Sequence, residues 1–249
     1  MSIKVTHLGL LILTLLTACG APPTGTPLPT PQAVILAYTP ELRSYANMLA
    51  SCARQYPDIA IYLNESVEAF VPDGKTNLVL ALGTIPASLR DWYATLLSTE
   101  NLVVIVNQQN PLTRLSAMQM RAIWNGEITN WDAVGGAAQP IEVWTYPPGS
   151  ALRALFDSNI LPGMLTTSYA WLAPDPQAML ESISADPYAI GYLPASWLDT
   201  IEPELARQLH SVVLPDDLIE NFRQPVLALT EAEPQGGLRT LLLCYQAGE

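Results

Sequence analysis

Residues Met118–Asp132 read MQMRAIWNGEITNWD, and the reading of the whole chain grows from this stretch. Met118, Met120, Ile123 and Trp124 are the apolar positions of a helix expected over Ser116–Trp124. Trp124 and Trp131 sit on that helix and on the turn around GEITNW, where they read as packing residues. Before the stretch, Leu102–Val106 (LVVIV) is a short apolar run of the buried-strand type. After it, Gly135 and Gly136 lead to a strand expected over Ile141–Tyr146 (IEVWTY), then a helix over Ser150–Phe156.

The flanking sequence continues in the same style. Toward the N-terminus, Val34–Ala37 and Ile59–Leu63 read as strands around a helix over Glu41–Gln55. Leu42, Tyr45, Ala46, Leu49, Cys52, Ala53 and Tyr56 share one face of that helix. Thr39 is placed to cap it, with Pro40 at its first position. Leu78–Leu82 is a further strand, and Pro86–Leu97 reads as a helix. Toward the C-terminus, strands are expected at Tyr188–Leu193 and Pro225–Leu229, and helices at Glu202–His210 and Gly237–Gln246. Buried-type strands alternating with helices imply an α/β fold with mostly parallel sheets and flanking helices.

Composition narrows the function. Of 249 residues, 49 % are hydrophobic and 14 % charged, which is ample apolar material for a core. The net charge of −12 argues against nucleic acid and against an electrostatic hold on anionic lipid. An anionic ligand would need local dipoles, because the overall field repels it. The three cysteines, Cys19, Cys52 and Cys244, show no C-x-x-C spacing. His7 and His210 are the only histidines, and His7 lies in a segment expected to be removed. One remaining histidine cannot build a multi-histidine metal site, so no metal or cofactor is expected. His210 reads as a surface histidine.

The N-terminus reads as an address. Lys4 precedes the apolar run Leu8–Leu16, which is too short to span a bilayer and suits an export signal over 1–18. The following Leu16-Thr17-Ala18-Cys19-Gly20 resembles the bacterial lipobox, with cleavage before Cys19 and a lipid on its thiol. The Pro/Thr-rich stretch 19–32 cannot bury a core and reads as a tether. The expected location is extracytoplasmic, held to the cell membrane by that lipid alone.

Residues 102–156 resemble the phosphate-binding components of bacterial ABC importers. The likeness is carried by VVIVNQQNP (Val103–Pro111), by GEITNW (Gly126–Trp131), by Gly135-Gly136 and by PIEVWTYPPGSALR (Pro140–Arg153). Ala189–Leu193 (AIGYL) and the return from Pro225 are also similar. The resemblance implies a two-lobed type II periplasmic-binding-protein-like fold over 33–249. Lobe 1 would comprise about 33–105 and 222–249, and lobe 2 about 106–221. The chain would cross near Val106–Pro111 and return near Phe222–Val226. It further implies a monomer, not an enzyme, that holds a small solute between the lobes and delivers it to an ABC permease.

Three strand-to-helix turns would line the cleft, because free N–H groups and the positive helix end gather there. The first is Tyr38-Thr39, with Thr39 as either ligand donor or helix cap. The second is Gly83-Thr84, where one branch of the family carries an aspartate that accepts the proton of hydrogen phosphate. The third is Tyr146–Arg153, in which Gly149 and Ser150 match the family pattern. Tyr146 replaces its arginine, Ala151 its second glycine and Leu152 its threonine. A tyrosine hydroxyl does not replace a guanidinium fork. Phosphate or another small oxyanion is the first expectation. A sensor or envelope interaction lipoprotein with a less charged ligand, or none, is the alternative. Cys52 and Cys244 belong to one lobe, either as a disulfide or as two buried thiols.

Overall fold

The computed structural model describes residues 31–67, 70 and 72–248. The expected export signal over 1–18, Cys19 and nearly all of the expected tether lie outside them. The body from Pro31 onward is one compact unit, and no helix of its described residues is long and apolar enough to cross a membrane.

In chain order the elements are β1 (Gln32–Tyr38), α1 (Arg43–Ala53), β2 (Ile59–Glu65), β3 (Leu78–Leu82) and β4 (Tyr93–Asn107). Then come α2 (Ala117–Trp124), β5 (Glu142–Thr145), α3 (Ala151–Ile160), β6 (Trp171–Leu172), α4 (Pro176–Ala185) and β7 (Ala189–Pro194). The chain continues with α5 (Ala195–Leu198), α6 (Pro203–Ala206), β8 (Leu209–Ser211), α7 (Asp216–Phe222), β9 (Arg223–Thr230) and α8 (Gly236–Ala247). Short 3-10 turns cover Pro40–Leu42, Ala87–Leu89 and Trp131–Val134. Gln32, the last residue assigned to the tether, already stands in β1, where its side chain accepts from Gly237 N–H at 2.8 Å.

The strands run in the order β2-β1-β3-β9-β4-β7-β5-β6, with β8 beside β4. Pairing is parallel at both ends of this path, and antiparallel wherever β4 or β9 takes part. The long β4 joins everything. Tyr93–Asn101 pairs with β9, and Leu102–Val106 pairs with β7. The crossing from one partner set to the other falls between Asn101 and Leu102, ahead of the expected Val106–Pro111.

Two large apolar clusters fill the body, beside a small third one of Ala37, Val79, Ala81, Leu89 and Leu229. One gathers Leu36, Leu42, Leu49, Leu80, Val226 and Leu241 between the first strands, α1 and α8. The larger one gathers Ile105, Ile123, Trp124, Phe156, Tyr192 and Phe222. Phe156 stacks on Tyr192 with ring centroids 4.0 Å apart, and Trp124 closes on Phe156 at 4.7 Å. Trp124 and Trp131 are fully buried, their indole N–H groups donating to the carbonyls of Trp144 and Tyr188. Cys52 of α1 and Cys244 of α8 form a disulfide with Cα atoms 5.9 Å apart. The elements built on the first cluster are called the first half below, and those on the larger cluster the second half.

Two expected helices give way to strands. Pro86–Leu97 holds only the turn Ala87–Leu89, and from Tyr93 the chain is β4. The antiparallel ladder to β9 rewards an extended backbone, and Thr95, Thr99 and Tyr93 suit it. Glu202–His210 holds only α6, after which Leu209–Ser211 pairs with β4. His210 is therefore half-buried in a strand, with Nε2 at 2.8 Å from the Leu112 carbonyl, rather than a free surface residue. Met118, expected on the apolar face of α2, is 76 % exposed. Helix α4 was not read from the sequence, although Asp175-Pro176 is an N-terminal signal and Asp175 does accept from Ala178 N–H at 2.8 Å.

Candidate functional site

The first half offers the turn between β1 and α1. Thr39 is extended at the cap position, and its carbonyl accepts from Leu42 N–H at 2.9 Å, but its side chain makes no cap bond. The Thr39 hydroxyl instead serves the carboxylate of Glu41. Glu41 stands in the first turn, where the positive end of the helix favours an acid. It is only 7 % exposed. Burial is the main force that raises its carboxyl above the ordinary range, against the lowering effect of its own backbone N–H and of Thr39. Arg43 is not its partner. The Arg43 guanidinium forks onto Glu65 at 2.7 and 2.6 Å, and the buried Tyr38 hydroxyl bonds to the same carboxylate.

The second half faces this turn with Trp197, and Tyr146 lies in its core. Tyr146 follows β5 and is 1 % exposed. Its ring meets Tyr192 edge-on at 5.4 Å, while Tyr192 shares a 2.8 Å hydrogen bond with Thr145. The Tyr146 hydroxyl is buried without a hydrogen-bond partner. Burial holds it well above the usual tyrosine range, and the neighbouring Tyr192, Glu41 and Asp175 push the same way. Trp197 Nε1 donates across to the Glu41 carbonyl at 3.3 Å, and the Arg43 guanidinium lies 5.0 Å over the Trp197 ring.

Further polar contacts close the seam between the halves. Ser44 Oγ donates to Ser196 Oγ at 3.0 Å. Glu100 of β4 accepts from the Tyr45 hydroxyl of the first half at 3.0 Å and from Ser196 N–H of the second at 3.3 Å. The buried Glu100 thus ties α1 to the start of α5 at the place where β4 changes partners.

The other sequence candidates lie along the same line without converging on one point. Gly83 N–H donates to the Pro225 carbonyl at 2.8 Å, and Thr84 beside it is exposed. Gly149 takes φ +95°, a left-handed value that lets the chain turn from β5 into α3. Ser150 stands at the cap position of α3 with no side-chain cap bond, and Ala151 is exposed. Arg153 donates to the Tyr146 carbonyl at 3.0 Å and pairs with Asp157 at 3.3 Å, so it braces the turn. Just beyond Ser150, Leu152 and Leu155 face Leu82, Asn101 and Gln224 across a crevice too narrow to admit a water.

At the seam Thr39 is joined by Glu41 and by Trp197 from the opposite half, whereas Tyr146 packs in the core of the second half. Glu41 was legible only as an ordinary acid at a helix start. Nothing in the sequence announces that the opposite half will bury it. The seam can bind by hydrogen bonds and charge, and the Arg43 guanidinium is already committed to Glu65.

A family model described as the PBP superfamily domain matches residues 90–234, more than half of the chain. The fold is similar to that of a Clostridium perfringens protein described as a phosphate ABC transporter substrate-binding protein with bound phosphate. The TM-score is 0.71 and the identity 17 %, over 86 % of this chain and 92 % of that one. An ABC-type phosphate transport receptor from Vibrio cholerae superposes at TM-score 0.58 and 17 % identity, covering 87 % and 94 %. The regulatory domain of Synechocystis CcmR in complex with 2-PG does so at 0.62 and 16 %, covering 87 % and 96 %. At these identities the likeness is one of fold. By the family match and this shared architecture, the chain belongs to the PBP superfamily, as a divergent member with a type II periplasmic-binding-protein-like fold.

Proposed function

We propose that this chain is an extracytoplasmic solute-binding protein of an ABC importer, anchored by a lipid on Cys19, whose two halves are lobes that close over a small solute. The carrying observation is the seam itself. Two separately packed cores meet through polar contacts, with Trp197 donating to the Glu41 carbonyl, Ser44 to Ser196, and both Tyr45 and Ser196 N–H to Glu100. An interface held by a few polar bonds, and not by one continuous apolar core, is the kind that can open and close. Hinge closure over a ligand gives such polar groups something to bind.

Phosphate or another small oxyanion is the ligand that the fold relatives suggest, since the Clostridium perfringens protein is described with phosphate bound. A second reading keeps the lipoprotein and the fold, and gives it a less charged ligand, or a role as sensor or envelope interaction module. It is supported by the state of Arg43, whose fork is already filled by Glu65.

Melting of the body from Pro31 in the presence of phosphate, sulfate, molybdate and small organic solutes tests the binding role. A ligand at 100 times its dissociation constant adds about 2.7 kcal/mol of stability, and scattering should show closure. A panel that shifts neither would defeat it. For the anchor, Cys19→Ser expressed in a bacterial host should lose incorporation of a labelled fatty acid, and unchanged labelling would exclude lipidation at that residue.

A further inference from the structure

We propose that the far end of the second half carries a second binding site, a small recess that takes an uncharged sugar ring. It is separate from the seam and does not depend on the solute-binding reading above.

Gln109, Asn110 and Pro111 follow β4, Trp131 closes the GEITNW stretch, and Pro187 and Tyr188 precede β7. Together with Ala137 they line a cavity of about 200 Å³. The strand register fixes where it lies. Strands β4 and β7 pair from Leu102↔Pro194 to Val106↔Ile190. Next to Leu102, at Asn101, β4 passes to β9 and the seam, whereas the cavity lies past Val106 at the opposite end of that ladder. The strand between these two ends is about 13 Å long.

The fold itself holds the walls. Trp131 Nε1 donates to the Tyr188 carbonyl at 2.9 Å, and Glu142 N–H donates to the same oxygen at 3.0 Å. Asn107 is 4 % exposed and sends Nδ2 to the Ile183 and Ser184 carbonyls of α4. Its Oδ1 accepts from Gln109 N–H at 2.9 Å, which pins the loop after β4. A pocket formed by the fold, with a few placed polar groups, is the usual form of a small-molecule site.

The lining selects the guest. None of the described residues that line the cavity is charged, so a charged guest would lose its water without a counter-charge. An apolar guest fails for the opposite reason. Asn110 is 5 % exposed, and its Oδ1 is taken by Leu112 N–H at 3.0 Å. Its Nδ2 donates to none of the described residues, and an apolar guest would seal that donor in without a partner. Gln109 adds a second amide at the exposed rim. A hydroxyl both gives and takes a hydrogen bond, and an amide side chain can answer both. Trp131 has spent its one polar atom on Tyr188, so it offers the cavity only ring carbon. Tyr188 and the two prolines extend that apolar surface. A guest with C–H faces for the carbon wall and hydroxyls for the amides is a sugar. The size agrees, since the space equals that of about six or seven waters, the bulk of one ring with its hydroxyls.

Two-dimensional amide NMR spectra of the body from Pro31, titrated with glucose, N-acetylglucosamine, its linked trimer, inorganic phosphate and ethanolamine, test this. At least one sugar should shift the side-chain amide signals of Asn110 and Gln109 saturably, and the two charged probes should leave them in place. Saturable binding of the free sugar or of the trimer upholds the site, and the tighter of the two tells a soluble guest from a glycan chain. Asn110→Asp keeps an acceptor for Leu112 N–H and removes the free donor, so it should weaken the sugar about fivefold, the scale of one hydrogen bond. Gln109→Ala, at an exposed side chain, should also weaken it while the rest of the spectrum stays unchanged. Sugars that move neither signal, equal shifts from phosphate or ethanolamine, or variants that bind as tightly as the wild type would each overturn the inference. Shifts confined to Ser44, Ser196 and Trp197 would put the sugar in the seam, overturning this site and leaving the solute-binding role standing.

Discussion

At the scale of single residues, Glu41 makes the stability of the fold depend on pH. Its folded pKa lies above the ordinary value of 4.5, chiefly through burial. Between those two values the folded chain holds a proton that the unfolded chain has lost, so stability falls as pH rises through that window. Glutamine at the position carries no such loss. Glu41→Gln should therefore stabilise the unliganded protein by about 1–3 kcal/mol at pH 7.5, the scale of an uncompensated buried charge. The advantage should shrink toward pH 4.5, and urea unfolding at the two pH values checks it. Glu65 works in the opposite sense, since the Arg43 fork lowers its pKa and its stabilising share is lost on acidification. It is present in both proteins and cancels in the difference. An advantage that grew on acidification would show that Glu41 is not held as described.

At the scale of elements, two contacts decide how helices sit on the sheet. The disulfide staples α1 to α8 across a sequence separation of 192. Closing so long a loop restricts the unfolded chain, and replacing Cys52 and Cys244 by alanine should cost about 2–5 kcal/mol in urea unfolding. A cost below about 0.5 kcal/mol would mean that the packing of the helices alone suffices. On the other side of the molecule, α4 lies directly on β7. A Cβ at Gly191 would press on the sulfur of Met179 and come within 3.1 Å of Ile183 Cδ1. Gly191→Val should lose about 1–3 kcal/mol by overpacking, read from the same unfolding curves. The missing side chain at Gly191 sets how near α4 approaches, and with it the position of Asp175 at the head of that helix.

At the scale of the whole molecule, β4 and β9 run between the halves, and the remaining bonds across the seam are few and polar. An equilibrium between open and closed forms is then sensitive to single contacts. Trp197→Phe keeps the packing of a ring and removes the Nε1 donor to Glu41. Losing one such bond, worth about 1 kcal/mol, should shift the unliganded population toward the open form by about fivefold. Small-angle scattering should record a larger radius of gyration, and an identical profile would mean that the seam is held elsewhere. Glu100, with a bond to each half, marks the place about which such opening would turn.

The sequence by itself determined the α/β class, the family likeness around Gly126–Trp131, and the two strand-to-helix turns at Thr39 and Ser150, while Gly83-Thr84 leads into a short 3-10 turn and a strand. Those features are local, because apolar periodicity, glycines and caps act within a few residues of one another. Only the tertiary structure decided that Tyr93–Asn107 is one strand, because its ladder is completed by β9, β7 and β8 from far along the chain. It alone also decided that Trp197 reaches across to Glu41 and that Arg43 is committed to Glu65. Burial and charge pairing are sums over residues distant in sequence, and a one-dimensional reading of Glu41 sees only the start of a helix.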